Sequence, residues 1–338
     1  MTPSLITRCR KENKLPGLIK IYMATRQKYS EARDAIFGEL YEIALKDPRV
    51  IVLSADTGAK KFKDFQETIP KQFYNIGISE QNAISAAAGL ALTGKHVFVF
   101  GIANFVTVRP FEQIRIDVCG MNVPVTILAG GTGYVYSYDG LTHHMRENIA
   151  LLRTLPNMTI WSPSDYTMTA GLVHLAYKKK GPSCIFFDKG PFSRIYDDLG
   201  QGFSSGIKVL ARGKDITIIA TGIMITQAFQ LVEELRRHGL EAGLIDCYRL
   251  KPVNEPLLLA ALKGSKRIVT LEEHSLYGGL GSIIREVLGN SNLLLPIKSF
   301  GIGDEYRFEV GNRDYLWALD GLDVTSMTKA IRQWMKTI

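Results

Sequence analysis

The sequence lacks the features that mark several large classes of protein. No run of about 18 uninterrupted apolar residues occurs, so no membrane-spanning helix is expected. Cysteine is scarce, with four residues (Cys9, Cys119, Cys184 and Cys247), no CxxC and no histidine at ligand spacing. That scatter argues against a disulfide frame or a zinc site and fits reduced, mostly buried thiols. The opening stretch, MTPSLITRCRKENKLPGLIKIYMATR, is basic but has no apolar h-region, so residues 1–22 are expected to form a cytoplasmic N-terminal arm. The one G-x-S-x-G string, GFSSG at 202–206, lies in a polar, Gly-rich stretch and follows no apolar strand as a nucleophile elbow does, which weakens a serine hydrolase reading. Internal repeats and low-complexity tracts are missing too. The formal charge of +8 is spread out, and its densest runs, Lys60–Lys61–Lys63 and Lys178–Lys180, carry no interleaved aromatics. A solvated face or a phosphorylated small substrate explains them more simply than a nucleic acid.

What is present is an ordinary globular composition, 46% hydrophobic and 22% charged, in 338 residues, enough for two domains. Helical and strand patterns alternate. Residues 29–46 put Ala32, Ile36, Leu40 and Ile43 on one stripe, which predicts an amphipathic helix. Further helices are expected at 79–93, 109–119, near 144–154 and at about 166–179. Between them run the apolar strands RVIVLSAD, HVFVFG, PVTILAG, MTIWSP and SCIFFDKG. After a polar, Gly-rich pause at 191–213, strands DITIIATG, EAGLIDC and RIVTLEE alternate with helices at 224–238, 254–263 and from about 277 to 288. Uninterrupted aliphatic strands between helices predict parallel sheets covered on both faces, in an α/β fold with a boundary near residue 200. Ligands of such sheets bind beyond the carboxyl ends of the strands, so Asp56, the 101–105 turn, the 130–143 loop and Lys189 should converge on one rim.

Two stretches on that rim carry chemistry. In IGISEQNAISAAAGLALTGKHVFVFG, residues 76–101, Glu80 is the one acid in an apolar, small-residue run. Either it caps the helix that starts at Ser79 and stays wet, or it is buried and must be partnered. The loop GGTGYVYSYDGLTHH gathers Asp139, Gly140, Thr142, His143 and His144 behind three glycines, Gly130, Gly131 and Gly133. It is either a polar turn in which Asp139 caps the next helix or a site bringing an acid to two imidazoles. A metal centre is disfavoured because no third ligand sits at usable spacing.

Three longer blocks then resemble one family. FYNIGISEQNAISAAAGLALTGKHVFVFGIANFVTVRPFEQIR, DGLTHHMRENIALLRTLPNMTIWSPSD and GPSCIFFDKG resemble the C-terminal half of transketolase, and equally of 1-deoxyxylulose-5-phosphate synthase. TLEEHSLYGGLGS is similar to the C-terminal domain of the same enzymes. The resemblance runs from about residue 22 to the end. It implies a pyrimidine-binding domain of the thiamine-diphosphate fold at 23–195 and a smaller α/β transketolase C-terminal domain at 203–338. It also implies that Glu80 bonds N1′ of the aminopyrimidine of thiamine diphosphate and favours the imino tautomer, whose exocyclic nitrogen removes the C2 proton. Phe105 matches the aromatic residue that stacks on that ring, and Phe111 a neighbouring aromatic; plain core packing is the alternative for each, and the plainer one for Phe111. Asp56 is assigned to the cofactor-binding set. Asp139 and His143 match the DG-x-TH pair that contacts sugar hydroxyls and assists proton transfer. His144 stands where the family usually has Gln.

Departures from the family pattern are as informative. Arg26 matches a substrate-phosphate arginine, Lys189 stands where a second arginine is usual, Lys60 replaces a serine, and the family's phosphate-binding histidine falls on Gly131. No GDG motif for the diphosphate and Mg²⁺ occurs in the chain. The expected protein is therefore the C-terminal subunit of a two-component transketolase. Thiamine diphosphate would be its cofactor, with Mg²⁺ held by a separate N-terminal subunit carrying GDG…N, in an α₂β₂ assembly. The expected reaction moves a two-carbon ketol unit from a ketose, expected to be phosphorylated, to an aldehyde. Alternatives are a deoxyxylulose-phosphate-synthase-like activity, the β subunit of a 2-oxo-acid dehydrogenase, and a non-catalytic regulatory homologue.

Overall fold

The computed structural model describes residues 29, 31–189, 194–197 and 202–337. The expected arm at 1–22, Arg26 and the expected boundary near residue 200 lie outside these residues. The first strands are β1 (Val50–Ser54), β2 (Phe73–Asn75), β3 (His96–Ile102), β4 (Val125–Gly130), β5 (Thr159–Trp161) and β6 (Ser183–Phe187). They are followed by β7 (Ile207–Ala211), β8 (Ile216–Ala220), β9 (Ala242–Cys247), β10 (Arg249–Lys251), β11 (Ile268–Ser275) and β12 (Ile297–Ile302). One sheet has the order β10-β5-β6-β4-β3-β1-β2 and the other β12-β11-β8-β9-β7. All pairings are parallel except β10 with β5 and β7 with β9. The expected α/β class is met.

The strands are apolar on both sides because both faces are covered. In β1, Val50 and Val52 enter one apolar cluster while Ile51 and Leu53 enter another. β8 divides in the same way, and each cluster continues from one sheet to the other. The helix Ala32–Ala44 buries its expected stripe of Ala32, Ile36, Leu40 and Ile43 and packs on the helix Tyr166–Lys178. Complete burial of Ile36 and Leu40 contributes roughly 1.5–3 kcal/mol each.

Several elements differ from the sequence expectation. The helix expected at 109–119 begins earlier, as Ala103–Val108 directly after β3, so the expected 101–105 turn is not one. Pro110 has no backbone N–H to continue that helix, and a second helical segment restarts at Phe111 and widens into a π-helix over Ile114–Gly120. The helix expected at 144–154 is only Asn148–Arg153. The polar pause at 191–213 contains β7, and β12 with the helices Arg313–Leu319 and Val324–Trp334 lies beyond the last expected element.

The two sheets are joined by polar contacts as well as by the shared apolar clusters. β10 follows β9 of the second sheet yet pairs with β5 of the first. Asp165 caps the Tyr166–Lys178 helix through Met168 N at 2.7 Å, and its other oxygen accepts from Ile195 N and Tyr196 N at 2.8 Å each. Asp246, fully buried at the end of β9, accepts hydrogen bonds from the Ser164 hydroxyl and, at 2.7 Å, from the Tyr196 hydroxyl. Its second oxygen has no partner among the described residues, and burial pushes its carboxyl up to about 7.

Folding therefore favours the protonated Asp246. The stabilisation is complete below the ordinary aspartate pKa of about 3.9 and is lost as pH rises through about 7. Asp246→Asn keeps the shape and removes the ionisation. It should raise the melting temperature by several degrees at pH 8, with the gap closing toward pH 5, in differential scanning calorimetry. A gap that does not change with pH would refute this account.

Candidate active site

Because β6, β4, β3 and β1 are parallel neighbours, the residues after their carboxyl ends emerge together. Asp56 follows β1, the Ala103–Val108 helix follows β3, the loop from Gly131 to Arg146 follows β4, and Asp188–Lys189 follow β6.

Glu80 is the first residue of the helix Glu80–Leu92, which turns Ala83, Ile84, Ala87, Ala88 and Ala91 into the core. Ser79 does not cap that helix, because its hydroxyl donates to Ile76 O at 2.7 Å. Nor is Glu80 wet. It is 6% exposed, and both carboxylate oxygens accept from one Arg109 nitrogen, at 3.2 and 3.3 Å. The wet-cap reading is excluded, and the burial is answered by a cation.

Arg109 leads to the rest of the rim. Its guanidinium lies over the Phe105 ring at 4.0 Å, a pairing set by their i, i+4 spacing on one helical face. The Phe105 ring also meets His143 in a T-shaped contact with centroids 4.9 Å apart. His143 Nδ1 lies 3.0 Å from the Thr142 hydroxyl, and Asn104 Nδ2 donates to Thr142 O at 2.9 Å, which ties the loop to the Phe105 helix. Tyr136 is next, 5.8 Å from the His143 ring, with the Lys189 ammonium over its own ring at 5.0 Å. Glu80, Arg109, Phe105, His143, Tyr136 and Lys189 thus form one unbroken series of contacts.

Gly131 explains where Tyr136 sits. Its φ is +95°, and a Cβ there would lie 2.2 Å from Tyr136 Cε2. The position that matches the family's histidine is therefore a bare stretch of backbone with an aromatic ring laid against it. Burial pushes the Tyr136 hydroxyl pKa up, and the charge of Arg33 pulls it back.

Other expected residues stand apart from this series. Asp139 is exposed and caps nothing, since the next helix begins at Asn148 behind Glu147. Asp56, at φ +52°, accepts from Asn75 Nδ2 at 3.1 Å and is exposed, bracing the segment that leads to Glu80. Phe111 is half-buried against the core cluster that includes Ile84. Lys60 pairs with Asp34 at 2.7 Å on the surface, and Arg26 is outside the described residues. His144 is buried edge-on to Tyr134 at 4.9 Å, and burial first, then the charges of His143 and Arg146, push its pKa down. Sequence reasoning missed Arg109, Tyr136 and Arg33. Only Arg109 carried a signal, its helical spacing from Phe105.

A parallel α/β sheet with a buried acid, an aromatic ring and an imidazole on its carboxyl rim has the layout of a ligand-binding α/β protein. The family model for the transketolase pyrimidine binding domain matches residues 29–193, and that for the transketolase C-terminal domain matches 205–327. An apulose-4-phosphate transketolase subunit of Phocaeicola vulgatus is 35% identical over 90% of this chain and 97% of its own length. A 6-deoxy-6-sulfo-D-fructose transketolase subunit of Clostridium sp. is 32% identical over 89% of this chain and 93% of its own. A solved structure, described as a split gene transketolase, inactive beta4 tetramer, superposes with a TM-score of 0.82 at 33% identity, covering 91% of this chain and 99% of that one. The chain belongs to the transketolase family, of which it holds the pyrimidine-binding and C-terminal parts.

Gly131→Ala should destabilise the chain by more than the roughly 1–2 kcal/mol of a left-handed backbone alone, in urea titrations. Adding Tyr136→Ala should recover the steric excess. Additive effects of the two substitutions would show that the ring does not rest on Gly131.

Proposed function

We propose that the chain is the C-terminal subunit of a two-component, thiamine-diphosphate-dependent transketolase. It would transfer a two-carbon ketol unit from a ketose to an aldehyde. The observation that carries the reading is the buried Glu80 carboxylate joined through Arg109 to the Phe105 face, with His143 at the ring's edge. A flat cation already satisfies the carboxylate and the aromatic face at once, and a protonatable aminopyrimidine makes the same two demands. The residues present therefore fit the pyrimidine half of thiamine diphosphate.

When bound, thiamine diphosphate supplies the electron sink that lets a carbon–carbon bond beside a ketone break. The chain's own residues have separable tasks. Glu80, itself buried, would share a proton with a ring nitrogen of the bound group. Phe105 holds the ring plane. His143, with its Nδ1 beside the Thr142 hydroxyl, presents Nε2 for a substrate hydroxyl, and the exposed Asp139 carboxylate is free to accept from another. Lys189 over Tyr136 offers a positive charge to a substrate phosphate as a point charge. Lys60, tied to Asp34, and Phe111, packed on the core, are weaker members of this set.

The reading includes an N-terminal partner subunit that holds the diphosphate and Mg²⁺ through GDG…N, in an α₂β₂ assembly. Two facts support it: the match to transketolase subunits over about nine-tenths of both chains, and apolar side chains left exposed. The Glu80–Leu92 helix packs on residues 103–120, and this region leaves Ile78, Leu92, Val108 and Ile116 exposed. No helix among the described residues is long and apolar enough to cross a membrane. Free, buried Cys119, Cys184 and Cys247 suit a reducing cytoplasm, and ketol transfer between sugars would be carbohydrate metabolism.

Isothermal calorimetry should show little thiamine diphosphate binding to the chain alone and tight, Mg²⁺-dependent binding once the partner is added. Tight binding by the chain alone would overturn the two-component reading. In the reconstituted complex, Glu80→Gln should leave assembly intact and lower turnover and C2 proton exchange by about 10²–10⁴. Near-normal exchange would remove Glu80 from the chemistry.

A further inference from the structure

The loop that carries Asp139 and His143 is held by parts of the chain that are far away in sequence. A bridge between Gly133 and Met145 closes its base, with Met145 N donating to Gly133 O at 2.9 Å. The other ties at that base come from the β6 end, from β11 and from residues 303–320, after β12. Arg313 is the centre of the arrangement. Its Nε donates to Glu273 Oε1 at 2.8 Å, one terminal nitrogen pairs with the other Glu273 oxygen, and the other pairs with Asp188 Oδ2 at 2.5 Å. The Glu273-paired nitrogen also lies 3.4 Å from Thr132 O, and the Thr132 hydroxyl donates to Asp188 at 3.3 Å. Asp188 and Glu273 are 2% and 3% exposed, and Trp317 Nε1 donates to Glu273 at 2.5 Å. Glu273 lies so close under Gly133 that a Cβ there would be 2.0 Å from its Oε2.

Two more ties repeat the pattern. The Tyr134 hydroxyl donates at 2.6 Å to Asp320, which Arg307 neutralises at 2.8 Å. At the other end of the loop Arg146 donates to Gly303 O at 2.9 Å and to Glu305 O, and its guanidinium covers the Tyr306 ring at 4.7 Å. Each tie runs from the loop, or from the strand end beside it, to the region of β11 and residues 303–320.

We propose that this region is the template that sets the loop's shape, and that Arg313 is a positioning residue for His143, Asp139 and Lys189. Only a planar fork with separate nitrogens can serve Glu273 bidentately and reach Asp188 and Thr132 O together; a lysine ammonium cannot span them. Asp188 immediately precedes Lys189, and Thr132 opens the loop, so one guanidinium fixes the two segments relative to each other. Buried ion pairs are poor contributors to net stability but can specify one arrangement over its alternatives. The activity arm rests on the transketolase reading above; the structural arm does not.

Arg313→Lys and Tyr134→Phe in the full chain test it by hydrogen–deuterium exchange, followed by kinetics of each variant with its partner subunit. The expected result for Arg313→Lys is at least a tenfold rise in amide exchange confined to residues 132–146, with β8 and β9 unchanged. Turnover should fall tenfold to a hundredfold at unchanged thiamine diphosphate binding and C2 proton exchange, since Glu80 lies outside the loop. Tyr134→Phe should reproduce the loop effect more weakly, and it decides the matter if Arg313→Lys fails to fold. Unchanged loop exchange, or a uniform rise across both sheets, would overturn the proposal. A loosened loop in a complex whose wild type transfers no ketol unit would support the template and refute the transketolase reading.

Discussion

A carboxylate taken out of water has to be answered, and in this chain the answers decide which segments lie side by side. Glu80 is answered by Arg109, Glu273 and Asp188 share Arg313, and Asp320 takes Arg307. Where no cation comes, the acid titrates instead, as Asp246 does behind the hydroxyls of Ser164 and Tyr196. Apolar burial makes the sheets and covers both their faces. It does not choose where a loop rests on them, since one greasy contact can replace another. The directional, all-or-none pairings of buried acids make that choice, and they converge on the carboxyl rim of the first sheet.

Much of this was legible beforehand, for a definite reason. Strands buried on both faces read as continuous apolar runs, and β1, β3, β4 and β6 announce themselves. The alternation of Val50 and Val52 with Ile51 and Leu53 between the two clusters is invisible as a pattern but harmless to the assignment. Edge strands are another matter. β7 is buried only at Ile207, and β12 only at its last two residues, so neither presents an apolar run. The π-helix at 114–120 escaped because a widened turn keeps a helical composition while shifting its start.

The site was legible in Glu80, Phe105, His143 and Lys189 and hidden in Arg109 and Tyr136. Glu80, Phe105 and His143 sit in blocks whose order and spacing mark them. The carboxylate that Arg109 answers is 29 residues away, and that pairing exists only once the helices pack. Lys60 failed in the opposite way. A lysine run reads as a free charge until folding sets Asp34 beside it. Tyr136 could not be anticipated at all, because what places it is the side chain that Gly131 lacks. Departures from a family pattern are thus best read in pairs, the residue lost together with the neighbour that moves into its space.

β10 has a further consequence. Three residues, Arg249–Lys251, leave the second sheet to complete the border of the first, where Arg249 and Lys251 lie against Trp161 and Ile160 of β5. The chain's two sheets are therefore not two beads on a string. Severing it near residue 200 would strip β5 of its neighbour and present a row of unpaired backbone groups to any passing strand. A gene that splits an enzyme of this fold can do so ahead of the first sheet without touching that border. A split between the sheets would replace a three-residue edge strand by the uncovered edge of β5.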